Sequence, residues 1–328
     1  MNIILPNKIN GGKPDIINDA RRVTVIGANG AGKTRFSTRL IEMFPHRAYK
    51  LSALKAIFPT TSINHLEGSI DMLYNDKASQ THIFKGAAES ELERLIFLLM
   101  QEEFIDMLTY KARLKSGEKV EMPRTRLDDV LRRWMEVFPQ NRVQRLDGKL
   151  LFSNESDDEP YSSQLLSNGE KAVLYYIGAV LYAMPDAVIF VDSPEIFLHH
   201  SIMQTLWNVI EEMRPDCTFI YNTHDIEFAS SRIDNVCVWV RSYDNTREAW
   251  DYRIVSNSTF PDEIYFDILG SRKPVLFVEG DEMHSIDSKL YPLIFTEYTV
   301  KPVGSCDKVI EVTELLTGIA ATTTKCLI

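Results

Sequence analysis

The sequence has few cysteines, and their spacing fits neither a disulfide framework nor a zinc site. Cys217, Cys237, Cys306 and Cys326 are spread over 328 residues without any C-x-x-C pair. Cys217 and Cys237 lie inside apolar runs that are typical of strands. We expect buried thiols in a reducing compartment, which excludes a secreted, disulfide-stapled domain.

Long hydrophobic runs are also missing, and the first residues do not predict a leader sequence. No run approaches the roughly 18 apolar residues of a transmembrane helix, and the first residues, MNIILPNKIN, lack the basic and apolar regions of a signal peptide. We therefore expect a cytoplasmic protein without a membrane partner. Internal repeats and low-complexity tracts are absent too.

Positive charge is not in excess. The formal net charge is -10, and no long block carries a single sign. General attraction to a polyanion is therefore unfavourable, and any contact with nucleic acid must be local or made through a partner. The chain is 45% hydrophobic, which is enough to fill the core of a large α/β domain with a small appendage.

Apolar strand-like runs alternate with helical patterns along most of the chain. The runs are RVTVI at 22–26, AVIFVD at 187–192, CTFIYNTH at 217–224 and VCVWVR at 236–241. This alternation predicts a doubly wound, mostly parallel sheet. From about 66 to 150 the segments are long, charged and helical in pattern, which predicts a helical insertion.

A glycine-rich motif follows the first of these strands and opens a helix. Residues 27–34, GANGAGKT, match G-x-x-x-x-G-K-[ST], whose backbone N–H groups cradle phosphates. We expect Lys33 to reach the β- and γ-phosphates of ATP and Thr34 to ligate Mg²⁺. The candidate nucleotide-binding residues of this loop are Gly27, Asn29, Gly30, Ala31, Gly32, Lys33 and Thr34. A chance glycine turn is disfavoured by the flanking strand and helix.

Leu166-Ser167-Asn168-Gly169-Glu170 resembles the signature of the ABC ATPases, often LSxGE in chromosome-maintenance members. The resemblance implies that Ser167 and Gly169 touch the γ-phosphate held by a second subunit, so that a homodimer closes around two Mg·ATP. The alternative is an ordinary turn in which Ser167 is a helix N-cap. The segment 166–170 lies just before the apolar strand at 187–192, and this position favours the ABC signature over an ordinary turn.

Asp192 ends that strand and is the expected carboxylate that holds Mg²⁺ through water. Residues 192–199, DSPEIFLH, resemble the D-E-P-E-x-x-L-H segment of the OLD-like (overcoming-lysogenisation-defect) ATPases. The family's catalytic glutamate after the aspartate is replaced here by Ser193, which cannot act as a base near neutral pH. Glu195 either takes over the role or is a structural carboxylate near a helix start, and in the second case hydrolysis is slow.

His224 ends the next apolar strand. In the resemblance it is the switch histidine, which hydrogen-bonds the γ-phosphate and the attacking water. The alternative is a surface or core histidine with no chemical role. We favour the catalytic interpretation, so that Asp192, Glu195 and His224 form the candidate catalytic set.

The C-terminal segment PVLFVEGD, at 274–281, resembles the first strand of a TOPRIM domain. The resemblance implies that Glu279 helps to ligate Mg²⁺, but the D-x-D motif that completes such a site is missing. We therefore expect an ATPase domain over 1–269 and an incomplete TOPRIM-like module over 270–328, without nuclease activity of its own. An ordinary strand with a surface Glu-Gly turn is the alternative.

These features together predict an α/β P-loop ATPase of the ABC type. The leading hypothesis is an ATP-binding and hydrolysing switch that controls an effector protein or nuclease module in bacterial anti-phage defence or DNA maintenance. One alternative is the nucleotide-binding subunit of a membrane transporter, which the LSNGE sequence, Ser193, the helical insertion and the C-terminal segment disfavour. Another is a scaffold with structural ATP.

Overall fold

A computed structural model of the chain describes most residues up to 310. The described residues are 1–59, 66–80, 89–146, 149–154, 159–232, 234–255, 260–261, 264–265, 267–268, 275–280, 285–286, 290–291, 294–295 and 298–310. The predicted domain boundary at 269–270 and the last 18 positions, 311–328, lie outside them.

Among the described residues, strands and helices alternate one for one from residue 168 to residue 244. The strands are β1 (Ile3–Ile4), β2 (Ile16–Ile17), β3 (Arg22–Ile26), β4 (Ala48–Leu51), β5 (Asn141–Leu146), β6 (Lys149–Asn154), β7 (Tyr161–Ser162), β8 (Val188–Asp192), β9 (Thr218–Thr223), β10 (Asn235–Asp244), β11 (Ala249–Val255), β12 (Val275–Val278) and β13 (Thr299–Pro302). The helices are α1 (Lys33–Glu42), α2 (Ala53–Ile57), α3 (Ile70–Gln80), α4 (Glu91–Lys115), α5 (Arg126–Val137), α6 (Asn168–Val180), α7 (His200–Met213) and α8 (Ile226–Ser231).

The central sheet has six strands in the order β11-β10-β3-β9-β8-β4. All neighbours are parallel except β10 and β11, which form an antiparallel hairpin at one edge. The mostly parallel α/β sheet expected from the sequence is confirmed. Strand β9 lies between β3 and β8, so the strand before the glycine-rich loop is not a direct neighbour of the strand that ends in Asp192.

Successive residues of the sheet face two different cores, as the alternation of side chains along a strand requires. Ile189 and Val191 of β8 pack with helices α4 to α7 in one core. Val188 and Phe190 of the same strand pack with Phe36 of α1 in the other. Helices thus cover both faces of the sheet, and this explains why the sequences of these strands are continuously apolar.

The segment from 66 to 150 contains α3, α4 and α5, together with the first strand of a small antiparallel sheet, β5-β6-β7. Ser90 and Thr125 begin α4 and α5 with reciprocal capping boxes, in which each side chain accepts a hydrogen bond from the third helical residue. The apolar faces of these helices join the core above β8 and β9. The helical segment is therefore part of the structural support of the sheet.

The C-terminal strands β12 and β13 form a separate parallel pair. Strand β12 falls within the apolar segment PVLFVEGD at 274–281, and β13 pairs with it after 20 intervening residues. In the described part of the chain, no helix combines the length and the apolar character needed to span a membrane.

Candidate nucleotide site

The glycine-rich loop joins β3 to α1, in the order that the motif requires. Gly30 and Gly32 have φ values of +87° and +93°, which side chains with a Cβ rarely adopt. The Lys33 ammonium donates hydrogen bonds of 2.8 Å to the carbonyl oxygens of Gly27 and Ala28. Burial lowers the pKa of Lys33, while the carboxylates of Glu195, Asp192 and Asp267 raise it. The backbone carbonyl groups of the loop therefore hold the Lys33 side chain through hydrogen bonds within the loop.

The β10–β11 hairpin packs tightly against this loop. A Cβ on Gly27 would lie 2.1 Å from the carbonyl oxygen of Val240, and a Cβ on Gly32 would lie 2.6 Å from Cβ of Tyr243. The indole Nε1 of Trp250 donates to the Gly32 carbonyl at 3.2 Å. These two glycines thus serve the packing of the hairpin as well as the approach to phosphate.

The predicted catalytic residues converge at one edge of the sheet. Ile26 pairs with Thr223, and Asp192 pairs with Asn222, so β3, β9 and β8 end at the same level. Because parallel strands share a carboxyl edge, Gly27, His224 and Asp192 follow one another across it. This is the edge at which open α/β sheets bind ligands.

Asp192 and Asn222 form a polar pair at this edge. The Asn222 amide donates to Asp192 Oδ1 at 2.9 Å, while the Asn222 Oδ1 atom is buried without a hydrogen-bond partner among the described residues. Thr34, Asp192 and Asn222 line one small cavity. A hydroxyl, a carboxylate and an unsatisfied amide oxygen suit Mg²⁺ with water ligands, because Mg²⁺ takes oxygen ligands and retains several waters.

Glu195 lies beside His224. The distance between Glu195 Oε1 and His224 Nδ1 is 3.2 Å, and the Glu195 side chain is 11% exposed. Burial raises the pKa of Glu195 to about 7, although the Thr223 hydroxyl and the backbone amides of Glu195 and His224 lower it. A carboxyl group with such a pKa can accept a proton near neutral pH, which is what general-base catalysis requires.

Ser193 has a structural role in the backbone at this turn, and not the role of a catalytic base. Its φ is +51°, and its N–H donates to the Asn222 carbonyl at 2.8 Å. The residue makes the sharp turn from β8 toward Glu195. The buried carboxylate beside His224 therefore comes from the third residue after Asp192.

The structure adds Lys50 to this set, which sequence reasoning missed. Lys50 lies on β4 and lines the same cavity as Thr34 and Asp192. Burial lowers its pKa, and the Asp192 carboxylate raises it. The sequence signals that could have indicated these two residues are a lysine inside the short apolar strand AYKL and an asparagine, Asn222, inside β9.

The signature turn begins α6 and is stabilised by its own residues. Ser167 is the N-cap, and its side chain accepts from the Glu170 amide at 3.2 Å while the Glu170 carboxylate accepts from the Ser167 amide at 2.9 Å. A Cβ on Gly169 would lie 2.9 Å from the Phe197 carbonyl oxygen. Among the described residues no hydrogen bond or ion pair joins this turn to the glycine-rich loop of the same chain.

Glu279 follows β12 and is exposed. The described ranges contain no cluster of three or more His, Cys, Asp or Glu side chains that could hold a metal ion. Among the described residues Glu279 belongs to no such cluster, and its role as a metal ligand stays a prediction.

Residues 94–230 match a protein family described as "AAA domain, putative AbiEii toxin, Type IV TA system". The matched segment contains the signature turn, Asp192, Glu195 and His224, and it begins after the glycine-rich loop. No curated protein matches the chain.

Several solved structures resemble the chain at low sequence identity. An SMC head domain from Thermotoga maritima is 14% identical over 78% of this chain and 98% of its own, with a TM-score of 0.42. An SMC head bound to the C-winged helix domain of ScpA is 12% identical over 78% and 97%, with a TM-score of 0.44. The ATP-binding cassette of an ABC transporter in its ADP conformation is 13% identical over 73% and 85%, with a TM-score of 0.36. By its strand order and glycine-rich loop, the chain has an α/β P-loop ATPase fold, and its residues 94–230 are similar to the AAA domain family named above.

Proposed function

We propose that the chain binds Mg·ATP, hydrolyses it, and closes as a homodimer around two nucleotides to control an effector. The observation that carries this proposal is the convergence of the glycine-rich loop, Asp192, Glu195 and His224 at one edge of the sheet. Each residue type matches a distinct need of phosphoryl transfer, which depends mainly on positioning and on charge stabilisation.

In the reaction that we propose, Lys33 leaves its two carbonyl partners and binds the β- and γ-phosphates. Thr34 and Asp192 would hold Mg²⁺, which would supply positive charge near the phosphate oxygens. Glu195 takes a proton from water as the new oxygen–phosphorus bond forms and the bond to the β-phosphate oxygen breaks. His224 orients that water, and ADP and phosphate leave.

The second half of the proposal concerns the signature turn. Ser167 and Asn168 are exposed, and no contact with the loop of the same chain uses them. An exposed helix N-terminus can bind the γ-phosphate presented by another subunit. An isologous dimer would then contain two such contacts.

The biological context is proposed from likeness. Residues 192–199 resemble the OLD-like ATPases, and the family matched by residues 94–230 is described in terms of a type IV toxin–antitoxin system. Both support an ATP-gated control of an effector protein or nuclease module in anti-phage defence or DNA maintenance. In this proposal the segment from residue 270 onward is an incomplete TOPRIM-like module, and the ATPase domain occupies 1–269.

The test is ATP binding and hydrolysis by the parent and by Lys33→Ala. The variant should lose at least about 100-fold in ATP affinity, because the phosphates lose their main cationic partner. Lys13→Ala, an exposed lysine outside the site, is the control and should bind like the parent. Equal calorimetric affinities for the parent and Lys33→Ala would contradict the proposal.

A further inference from the structure

A short segment after the β10–β11 hairpin packs against the sheet beside the glycine-rich loop. Ile264 and Ile268 are buried in one small apolar cluster with Ile26 of β3 and Trp239 of β10. Trp239 pairs with Ile26, the last residue of β3 before the loop. The segment is therefore held at the level of the sheet where the loop begins.

This packing brings the carboxylate of Asp267 close to the loop. The Trp239 indole Nε1 donates a hydrogen bond of 3.1 Å to Asp267 Oδ2. Burial raises the pKa of Asp267, whereas the hydrogen bond from Trp239 and the positive charges of Arg241 and Lys33 lower it. Burial lowers the pKa of Lys33, and Asp267 is one of the three carboxylates that raise it. The charges of Asp267 and Lys33 thus act on each other.

Arg241, the other cation that acts on Asp267, already has a carboxylate partner. Its guanidinium lies 5.3 Å from the centre of the Trp239 ring, and its Nη1 atom lies 3.4 Å from Asp251 Oδ2. Because Asp251 offsets part of the positive charge of Arg241, the hairpin compensates the negative charge of Asp267 only in part.

Asp267 also lies apart from the candidate Mg²⁺ site. Its partner Trp239 is on β10, whereas Asp192 ends β8, and β3 and β9 lie between these two strands. The described residues that line the cavity of Thr34, Asp192 and Asn222 do not include Asp267. A Mg²⁺ ion in that cavity would therefore leave the charge of Asp267 in place beside the loop.

We propose that Asp267 sets the nucleotide affinity of the glycine-rich loop by competing with the phosphates for Lys33. The inference rests on the proposed ATP-binding function. The carboxylate attracts the ammonium that the phosphates need and repels the phosphates themselves, and both effects weaken binding. The penalty grows with the negative charge of the ligand, so Asp267 disfavours ATP more than ADP.

The experiment measures the affinity of the full chain for a non-hydrolysable ATP analogue and for ADP by calorimetry. Asp267→Asn removes the charge and retains an oxygen that can accept the hydrogen bond from Trp239, and Asp267→Ala removes both. Asp267→Glu retains the charge. Asp106→Asn, at an exposed aspartate on α4, is the matched control, because it removes the same charge outside the site.

We expect Asp267→Asn and Asp267→Ala to bind the ATP analogue about fivefold more tightly than the parent, because a repulsive charge is removed. The gain should be smaller for ADP, and it should decrease in about 1 M salt, which screens charges over roughly 3 Å. Asp267→Glu and Asp106→Asn should show no gain. Thermal unfolding checks that each variant is folded.

Four results would overturn the assignment. Unchanged affinity in Asp267→Asn and Asp267→Ala would show that the carboxylate does not compete with the phosphates. A loss of affinity in both would show that Asp267 supports the nucleotide. An equal gain in Asp106→Asn would assign the effect to the net charge of the chain. Failure of the parent and of every variant to bind the analogue would refute the proposed ATP-binding function too, and the parent's own titration distinguishes this result from the other three.

Discussion

The glycine-rich loop and the signature turn begin helices in different ways. The loop before α1 has no side-chain cap, because Gly32 is the N-cap with a left-handed backbone, and the hairpin supports it through Trp250. The turn before α6 is capped by Ser167 and Glu170 of its own sequence and remains exposed. The backbone N–H groups at the start of α1 are thus free of a side-chain cap and can bind an anion, and residues distant in sequence support them. The start of α6 is capped by residues of its own turn.

This difference indicates that the two elements depend on different partners. The loop is surrounded by Asp192, Glu195 and Lys50 of the same chain, so nucleotide binding and chemistry can be tested on one subunit. The signature turn contacts Phe197 and accepts a hydrogen bond from Asn141, but among the described residues no hydrogen bond or ion pair joins it to the glycine-rich loop. We therefore expect its proposed role only when a second copy is present. Variants in the two regions should therefore separate binding, turnover and association.

The largest expected effect concerns turnover and Glu195. Glu195→Gln should reduce phosphate release by about 10²–10⁴-fold, the usual contribution of a general base, while ATP binding is retained. Glu227→Gln, an exposed glutamate paired with His200 at 2.9 Å, is the control and should turn over like the parent. A parent rate that is unaffected by Glu195→Gln would place the base elsewhere.

The pH dependence sharpens this test. Since only the ionised carboxylate can accept a proton, and the pKa of Glu195 is raised from 4.5 to about 7, the parent rate should rise with pH through about 7. The residual rate of Glu195→Gln should lack this rise. The raised pKa also means that the protonated group favours folding below 4.5, and that this contribution is lost as the pH increases through about 7.

The second prediction addresses the signature turn. Ser167→Arg should prevent ATP-driven dimerisation, because the long arginine side chain would occupy the space that the other subunit's glycine-rich loop and its γ-phosphate need. Nucleotide binding by the monomer should be unchanged. Sedimentation velocity with and without ATP measures this. The same oligomer for parent and variant in both conditions would contradict the sandwich arrangement.

The sequence predicted those parts of the site that depend on local patterns. Residues 27–34 are contiguous, and Asp192 and His224 each end an apolar strand, so motif and periodicity were sufficient to place them at the sheet edge. The strand alternation likewise predicted the central sheet. The short C-terminal resemblance predicted strand β12 but could not establish a TOPRIM domain.

Lys50, Asn222 and Tyr243 could not be predicted in this way, because their roles come from contacts between strands far apart in sequence. Arg35 meets Asn245 across 210 positions. Lys50 approaches Asp192 only because β4 pairs with β8 at the edge of the sheet. These contacts depend on the order of the strands in the sheet, and the sequence pattern does not predict that order.

A third prediction tests whether Lys50 belongs to the nucleotide site. Lys50→Met should weaken ATP binding by about tenfold, because a partly buried ammonium would no longer face the phosphates and Asp192, while methionine keeps most of the apolar stem. Lys13→Met, at an exposed lysine outside the site, is the control, because Lys55 acts electrostatically on Lys50. Equal ATP affinities for the parent and both variants would exclude Lys50 from the site.

The smallest expected effect separates the capping role of Ser167 from its proposed role in the dimer. Ser167→Ala should cost about 1 kcal/mol of stability, since the alanine side chain cannot accept the hydrogen bond from the Glu170 amide. Ser167→Asp keeps an acceptor for that amide, because aspartate is as good an N-cap residue as serine. It loses the hydroxyl that donates to the Glu170 carboxylate at 2.8 Å and places a second negative charge beside that carboxylate. Thermal unfolding without nucleotide should therefore show Ser167→Asp to be folded but less stable than the parent. In the presence of ATP, Ser167→Asp should nevertheless fail to dimerise, because its carboxylate would repel the γ-phosphate that a serine hydroxyl can bind. A Ser167→Asp protein that is both stable and fully able to dimerise would mean that Ser167 acts only as a helix cap.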